Sequence, residues 1–249
     1  MFDIYLYPFI GTLLCFLFSL IGASFVFFPF FKKSHSLQNF LMSFSAGIMV
    51  AVTCWSLILP SLNYFVELYK NVLYTSISIV IGVLIFLLID FLIQKKESTF
   101  NEHFIFLSLT FHNIPEGMSV AILIANIQIL QPMNIFLACS LALGVAIQNI
   151  PESSTISFYY NQKGKNKFVS FLFSAISGIV EPIFGLVAIL LFSIFSNILP
   201  ILLSLSAGTM LYVTLKELLP ECYENYGKSK TAFAFCLGFV FMTILDNAL

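Results

Sequence analysis

Apolar residues run through this chain in long unbroken stretches, and the polar residues fall either in short clusters between those stretches or, in a few cases, deep inside them. The stretches cover 6–31, 38–60, 71–94, 103–127, 134–160, 168–196, 199–221 and 231–249. Each is long enough to cross a hydrocarbon core of about 30 Å, which takes about 20 helical residues. A segment in hydrocarbon must satisfy its own backbone, so an isolated apolar run of this length reads as a helix. The pattern predicts an all-α integral membrane protein of eight transmembrane helices, a single transmembrane domain spanning 1–249. The first stretch lacks the basic start and short apolar region of a secretory signal and is read as a span.

Composition agrees with the pattern. The chain is 59% hydrophobic and only 9% charged, with a mean hydropathy of +0.99, far from the make-up of a soluble domain. All 11 basic side chains are lysines. Lys32 and Lys33, Lys95 and Lys96, Lys163, Lys165 and Lys167, and Lys228 and Lys230 lie in the odd-to-even connections, whereas the other connections hold only Lys70. The positive-inside bias therefore places the odd-to-even loops in the cytoplasm and both termini on the extracytoplasmic side of a cell membrane, plasma or inner. No basic stripe of the kind that binds nucleic acid is present. The five cysteines are scattered without a C-x-x-C pair and suggest neither a zinc ribbon nor a disulfide framework.

Two internal matches indicate duplication. Ser45 to Thr53 and Ser206 to Thr214 agree at six of nine positions, and Gly82 to Asp90 has the same Gly-to-Asp spacing as Gly238 to Asp246. The repeat covers spans 1–3 and 6–8 around central spans 4 and 5. Its offset of five helices is odd, so the predicted repeats are inverted about an axis in the membrane plane.

Spans 4 and 5 carry a third match: His112-Asn113-Ile114-Pro115-Glu116-Gly117 and Gln148-Asn149-Ile150-Pro151-Glu152-Ser153. Positions i, i+1 and i+4 share one side of a helix, so His112, Asn113 and Glu116 form one polar stripe and Gln148, Asn149 and Glu152 another. Each proline removes a helical hydrogen bond and predicts a local kink. Span 6 adds Glu181-Pro182. The three glutamates fall near mid-span, where a bare charge costs about 2.5–3.5 kcal/mol or more. Protons, a lysine or a cation would neutralise them, and no lysine falls at that depth. Many acceptors with few donors favour the cation, and carboxylate, imidazole and amide oxygen suit Zn²⁺, Fe²⁺, Mn²⁺ or Cd²⁺ rather than Cu⁺.

On these residues the chain resembles the ZIP (Zrt/Irt-like) divalent metal transporters, most closely the bacterial GufA-like branch. The resemblance rests on the H-N-x-P-E-G motif at His112 to Gly117, the Q-N-x-P-E motif at Gln148 to Glu152, and Glu181. It implies a two-metal centre, with His112, Glu116, Gln148, Glu152 and Glu181 at one ion and Asn113, Glu116, Asn149 and Glu152 at the other. Family members often carry a carboxylate or histidine where this chain has Asn149, which lowers the charge of the second position. The resemblance also implies that spans 1, 4, 5 and 6 move against spans 2, 3, 7 and 8.

The expected function is uptake of divalent transition-metal ions, zinc first, toward the cytoplasm by alternating access. Release is expected past the pathway carboxylates Asp90 and Glu217, with Asp246 the repeat counterpart of Asp90. The metal is cargo, and no cofactor is called for. The metal ion and the lipid bilayer are the partners this implies, with a second copy of the chain a further candidate. A divalent-selective channel would need the same ligands held more weakly. An intramembrane metalloenzyme is the other alternative, although the H-E-x-x-H pattern is absent.

Overall fold

The computed structural model describes residues 3–28, 35–69, 72–94, 104–130 and 135–248, and all regular structure among them is helical. Helix α1 is Asp3–Ser24, closed by a 3₁₀ turn at Phe25–Phe27. Helix α2 begins as His35–Val52, passes through a π-helical turn at Thr53–Ile58 and continues as Leu59–Tyr69. Then follow α3 (Leu73–Gln94), α4 (Phe104–Leu130), α5 (Ile135–Gln162) and α6 (Lys167–Leu190). Helix α7 runs Phe192–Val213, widens into a π turn at Thr214–Leu218 and resumes as Leu219–Tyr226, and α8 is Lys228–Ala248.

Among the described residues, six segments are long and apolar enough to cross a membrane: Tyr5–Phe27, Ser36–Val66, Leu73–Leu92, Lys167–Leu190, Ile198–Tyr226 and Lys228–Leu245. Helices α4 and α5, of 27 and 28 residues, have the length but carry the polar motifs. The faces that α3 and α8 turn outward are apolar, with Leu73, Phe91, Phe233 and Ile244 each more than 60% exposed. Water would not tolerate so continuous an apolar surface, but lipid does.

Several boundaries differ from the hydropathy reading for local reasons. Helix α1 stops at Ser24 rather than near 31, and Phe28 is extended (φ −80°, ψ 124°) as required of a residue before proline. The expected gap between spans 6 and 7 at 197–198 lies instead at Leu191, whose φ of −104° and ψ of 28° break the helix within an otherwise apolar run. Helix α2 outruns its expected end by several residues. Both π turns precede a Leu-Pro pair, Leu59-Pro60 and Leu219-Pro220. A proline cannot donate to the carbonyl four residues back and its ring crowds that turn, so the helix widens just upstream.

Helices α1, α4, α5 and α6 pack on one another, α2 packs along α8, and α3 along α7. The groups meet where α4 touches α7 and α5 touches α2. Glycines set the two flanking contacts. A Cβ on Gly47 would strike the carbonyl oxygen of Phe235, and one on Gly238 that of Phe44. Likewise a Cβ on Gly82 would strike the carbonyl of Leu205, and one on Gly208 that of Ile79. In all four cases the target is the residue three before the partner glycine. Helix α2 crosses α7 near the π turns, where the Thr53 hydroxyl lies 3.9 Å from the Met210 sulfur.

At one end of the molecule the starts of α2 and α6 meet the ends of α5 and α7, beside the described connections that carry Lys163, Lys165, Lys167, Lys228 and Lys230. There the Asn39 side chain donates to the Asn225 carbonyl (3.2 Å), Gln162 donates to Gln38 (2.8 Å) and Lys167 donates to the Phe27 carbonyl (3.0 Å). Stacked Tyr160 and Phe173, with ring centroids 4.1 Å apart, brace α5 against α6 toward the same end.

Candidate metal centre

The polar motifs converge where α4, α5 and α6 meet beside α1. Close backbone approach makes the meeting possible: a Cβ on Gly117 would collide with the backbone of Glu181, and one on Gly22 with the carbonyl of Ile150. These contacts bring the Glu116, Asn149 and Glu181 neighbourhoods together. Helix α6 offers α1 and α4 a face of small polar residues, Ser170, Ser174, Ser177 and Gly178, all buried and leading up to Glu181. Ser174 donates to the Ser153 carbonyl at 2.7 Å, tying α6 to α5 one residue past the motif.

Asn113, Glu116, Gln148, Asn149, Glu152 and Glu181 are each at most 3% exposed. Gln148 donates through Nε2 to Glu116 Oε1 at 3.4 Å, a long bond. Asn149 Nδ2 lies 2.8 and 3.0 Å from the two oxygens of Glu181 and 3.3 Å from the Cys15 carbonyl. Asn113 Nδ2 turns to Ser177, 3.1 Å from its carbonyl and 3.3 Å from its hydroxyl, which also receives Thr110 at 3.1 Å. Glu116 and Glu152 both lie close enough to Glu181 to act on it electrostatically. Of the predicted ligands, His112 lies in α4, but its side chain falls outside the described residues.

One feature of this cluster is chemically directional. The amide nitrogens of Asn113, Gln148 and Asn149 are all spent as donors, while their oxygens, Asn113 Oδ1, Gln148 Oε1 and Asn149 Oδ1, accept no hydrogen bond among the described residues. An unmet buried acceptor costs about 1–3 kcal/mol. Three unmet amide oxygens beside three carboxylates form a site rich in hard oxygen donors, suited to a divalent cation. Among the described residues, no three His, Cys, Asp or Glu side chains are gathered into a metal-gripping group by themselves. The amides are therefore integral to what the site could hold.

The pathway carboxylates separate from this centre. Asp90, 7% exposed, is ion-paired with Lys216 and accepts from the Tyr212 hydroxyl at 2.9 Å, at the contact of α3 with α7. The side chains of Glu217 and Asp246 lie outside the described residues. The expectation that no lysine reaches the depth of the glutamates rested on Lys216 sitting toward the end of its span, and the structure gives that lysine a carboxylate of its own.

Two contributors were not singled out in the sequence: Ser177 and the Cys15 carbonyl. Ser177 was legible, because Ser170, Ser174, Ser177 and Glu181 recur at helical spacing on one face. The Cys15 carbonyl leaves no trace in side-chain identity.

Comparison with known proteins bears on what this centre serves. The sequence profile of the family described as ZIP Zinc transporter matches residues 94–246, well over half of the chain, including α4, α5 and α6. The chain is 27% identical over 227 residues to "Zinc transporter ZIPB" of Bordetella bronchiseptica, covering 85% of this chain and 72% of that protein. It is 32% identical over 143 residues to "Zinc transporter GufA" of Myxococcus xanthus, covering 57% of this chain and 54% of that one. It is also 36% identical over 144 residues to "Zinc transporter ZIP11" of Xenopus tropicalis, of whose length the match spans 43%. With a profile match that runs through every motif residue and most of the helices, the chain belongs to the ZIP zinc transporter family.

Proposed function

We propose that this protein takes up zinc into the cytoplasm across a plasma or inner membrane, binding it at mid-span between α4, α5 and α6. The family is one of transporters, not enzymes, which sets the intramembrane metalloenzyme aside. The observation that carries the reading is the set of three unmet amide oxygens packed among Glu116, Glu152 and Glu181. Fe²⁺, Mn²⁺ and Cd²⁺ suit the same donors.

The donors can be shared between two ions, with Glu116 and Glu152 bridging. His112, Gln148 and Glu181 complete one site and Asn113 and Asn149 the other. The second ion then rests on fewer charges, since Asn149 is a neutral amide whose nitrogen serves Glu181.

Alternating access follows from an inverted repeat of α1–α3 and α6–α8 around α4 and α5, eight spans in all, with both termini outside. Support comes from the equivalent glycine contacts of α2 with α8 and α7 with α3, and from π turns that begin at the matched residues Thr53 and Thr214. The grouping of α1, α4, α5 and α6 as one packed unit suits a body that moves against α2, α3, α7 and α8.

The test is zinc flux into proteoliposomes holding purified protein. Saturable, temperature-steep uptake that Glu116→Ala removes is the expected result. Wild-type vesicles that take up no zinc would overturn the proposal, and non-saturating, weakly temperature-dependent flux would favour the channel.

A further inference from the structure

The expected release route past Asp90 meets a carboxylate already engaged by Lys216 and Tyr212. Helix α5 offers another. From the motif onward it places Gln148, Glu152, Thr155, Tyr159 and Gln162 at successive steps of four, three, four and three residues, the spacing of one helical face. Every member of that face carries a polar group. Its near end is the metal centre, where Gln148 reaches Glu116. Its far end opens: Thr155, Tyr159 and Gln162 line a small cleft together with Gln38 and Asn39 from α2 and Glu221 from α7, with Met42 and Phe158 as its apolar members.

The dimensions agree. Ten residues separate Glu152 from Gln162, about 15 Å at a helical rise of about 1.5 Å, which is half of a hydrocarbon core about 30 Å thick. The cleft lies at the end that bears Lys163, Lys165 and Lys167, held by the Gln162 to Gln38 hydrogen bond and that of Asn39 to the Asn225 carbonyl. Between centre and cleft stands one helical turn. At that turn is Thr155, 6% exposed, with its hydroxyl folded back 3.0 Å from the Pro151 carbonyl. The opposite side of the centre has a different character. There Glu116 and Ser119 share a second cleft with Ser56 and the apolar side chains of Val52, Leu57, Val120, Leu123 and Val145, a mostly apolar lining.

We propose that the divalent cation leaves the centre along this face of α5, passes Thr155, and enters the Gln38–Asn39–Gln162–Glu221 cleft, where the Glu221 carboxylate receives it before release. The inference rests on the transport reading above and adds a route and a receiving site. Thr155 is the narrow point, and a modest shift of α5 against α2 and α7 joins centre to cleft.

The experiment compares zinc binding to purified protein with zinc flux in proteoliposomes, for wild type and two variants. Thr155→Lys sets a fixed cation in the route. It is expected to cut flux about tenfold or more; one helical turn from Glu152 the ammonium also acts on the centre, so zinc affinity falls too, but by less than the flux. Glu221→Gln keeps shape and removes charge, and is expected to lower maximal velocity several-fold with affinity retained, with Glu221→Asp restoring most of the rate. Wild-type flux in both variants overturns the route, as does a parallel loss of binding and flux in both, which places their effect at the centre. Should Thr155→Lys fail to fold, Glu221→Gln and Glu221→Asp decide alone. Absence of flux in the wild type overturns the transport reading itself, so the two failures are told apart.

Discussion

Among the described residues, carboxylates are buried in two places and treated in opposite ways. At the α3–α7 contact, Asp90 is met by the ammonium of Lys216 and the hydroxyl of Tyr212, so its charge is balanced within the fold. At the α4–α5–α6 junction, Glu116, Glu152 and Glu181 sit among neutral amides, and the amide oxygens of Asn113, Gln148 and Asn149 add further unmet acceptors. A buried ion pair that closes on itself is an architectural device and weak evidence of function. Acceptors gathered with their lone pairs unmet are costly unless a cation visits. On the function proposed above, the difference between the two places is that between holding helices together and holding cargo.

The largest expected effect comes from removing a bridging carboxylate. Glu116→Ala and Glu152→Ala should each lower zinc flux by more than about 100-fold, since even the residues that support metal ligands cost about 10- to 100-fold when removed. Protein level in the membrane should stay near normal. Vesicle uptake normalised to protein measures it, and appreciable flux in either variant would erase the contrast with Asp90.

Next in size is Asn149→Asp. The amide nitrogen that now serves both oxygens of Glu181 becomes a carboxylate oxygen facing them, so the metal-free protein loses stability. The ion regains what the apo state loses. Zinc affinity should rise by about tenfold, about 1.4 kcal/mol, and zinc should raise the melting temperature more than in wild type. Apparent KM should fall without a gain in maximal velocity. Calorimetric titration and thermal melts with and without zinc decide the point.

A smaller effect is expected from Ser177→Ala, which removes the hydroxyl shared by Asn113 and Thr110. The loss should be about 1 kcal/mol of stability, with a few-fold weaker zinc binding because Asn113 is held only by the Ser177 carbonyl. The smallest concerns the other carboxylate. Asp90→Asn and Lys216→Met should leave zinc affinity unchanged, while Lys216→Met, which strips the buried Asp90 of its counter-charge, should lower stability more than Asp90→Asn. The double substitution should cost no more than either single one, as a double-mutant cycle on melting can show.

What could be read in the sequence followed the strength of its physical signals. Long apolar runs located the helices, and the two matching motifs with Glu181 named the residues that the structure gathers, because intramembrane acids are too costly to be incidental. The repeat match at Ser45–Thr53 and Ser206–Thr214 contains Gly47 and Gly208, but their contacts on α8 and α3 emerge only from the packing. Helix ends were read poorly wherever an apolar run continued through a break, as at Leu191. The π turns have no counterpart in the sequence reading, which assigns local kinks to the motif prolines Pro115 and Pro151 and not to Pro60 and Pro220. The Lys216–Asp90 pair was missed because two residues more than a hundred positions apart leave no local pattern. Asn149 was read as a ligand by its oxygen, and its equally important nitrogen became apparent only beside Glu181.

The most direct measurement is the zinc content of purified protein equilibrated with the metal, for the wild type and for the chain carrying Glu116→Gln, Glu152→Gln and Glu181→Gln together. These substitutions keep the shape of the junction and remove its charge. The account predicts at least one zinc per wild-type chain and none above background in the triple variant, with Asp90→Asn binding as the wild type does. Equal zinc in the wild type and the triple variant would contradict it and place the metal elsewhere.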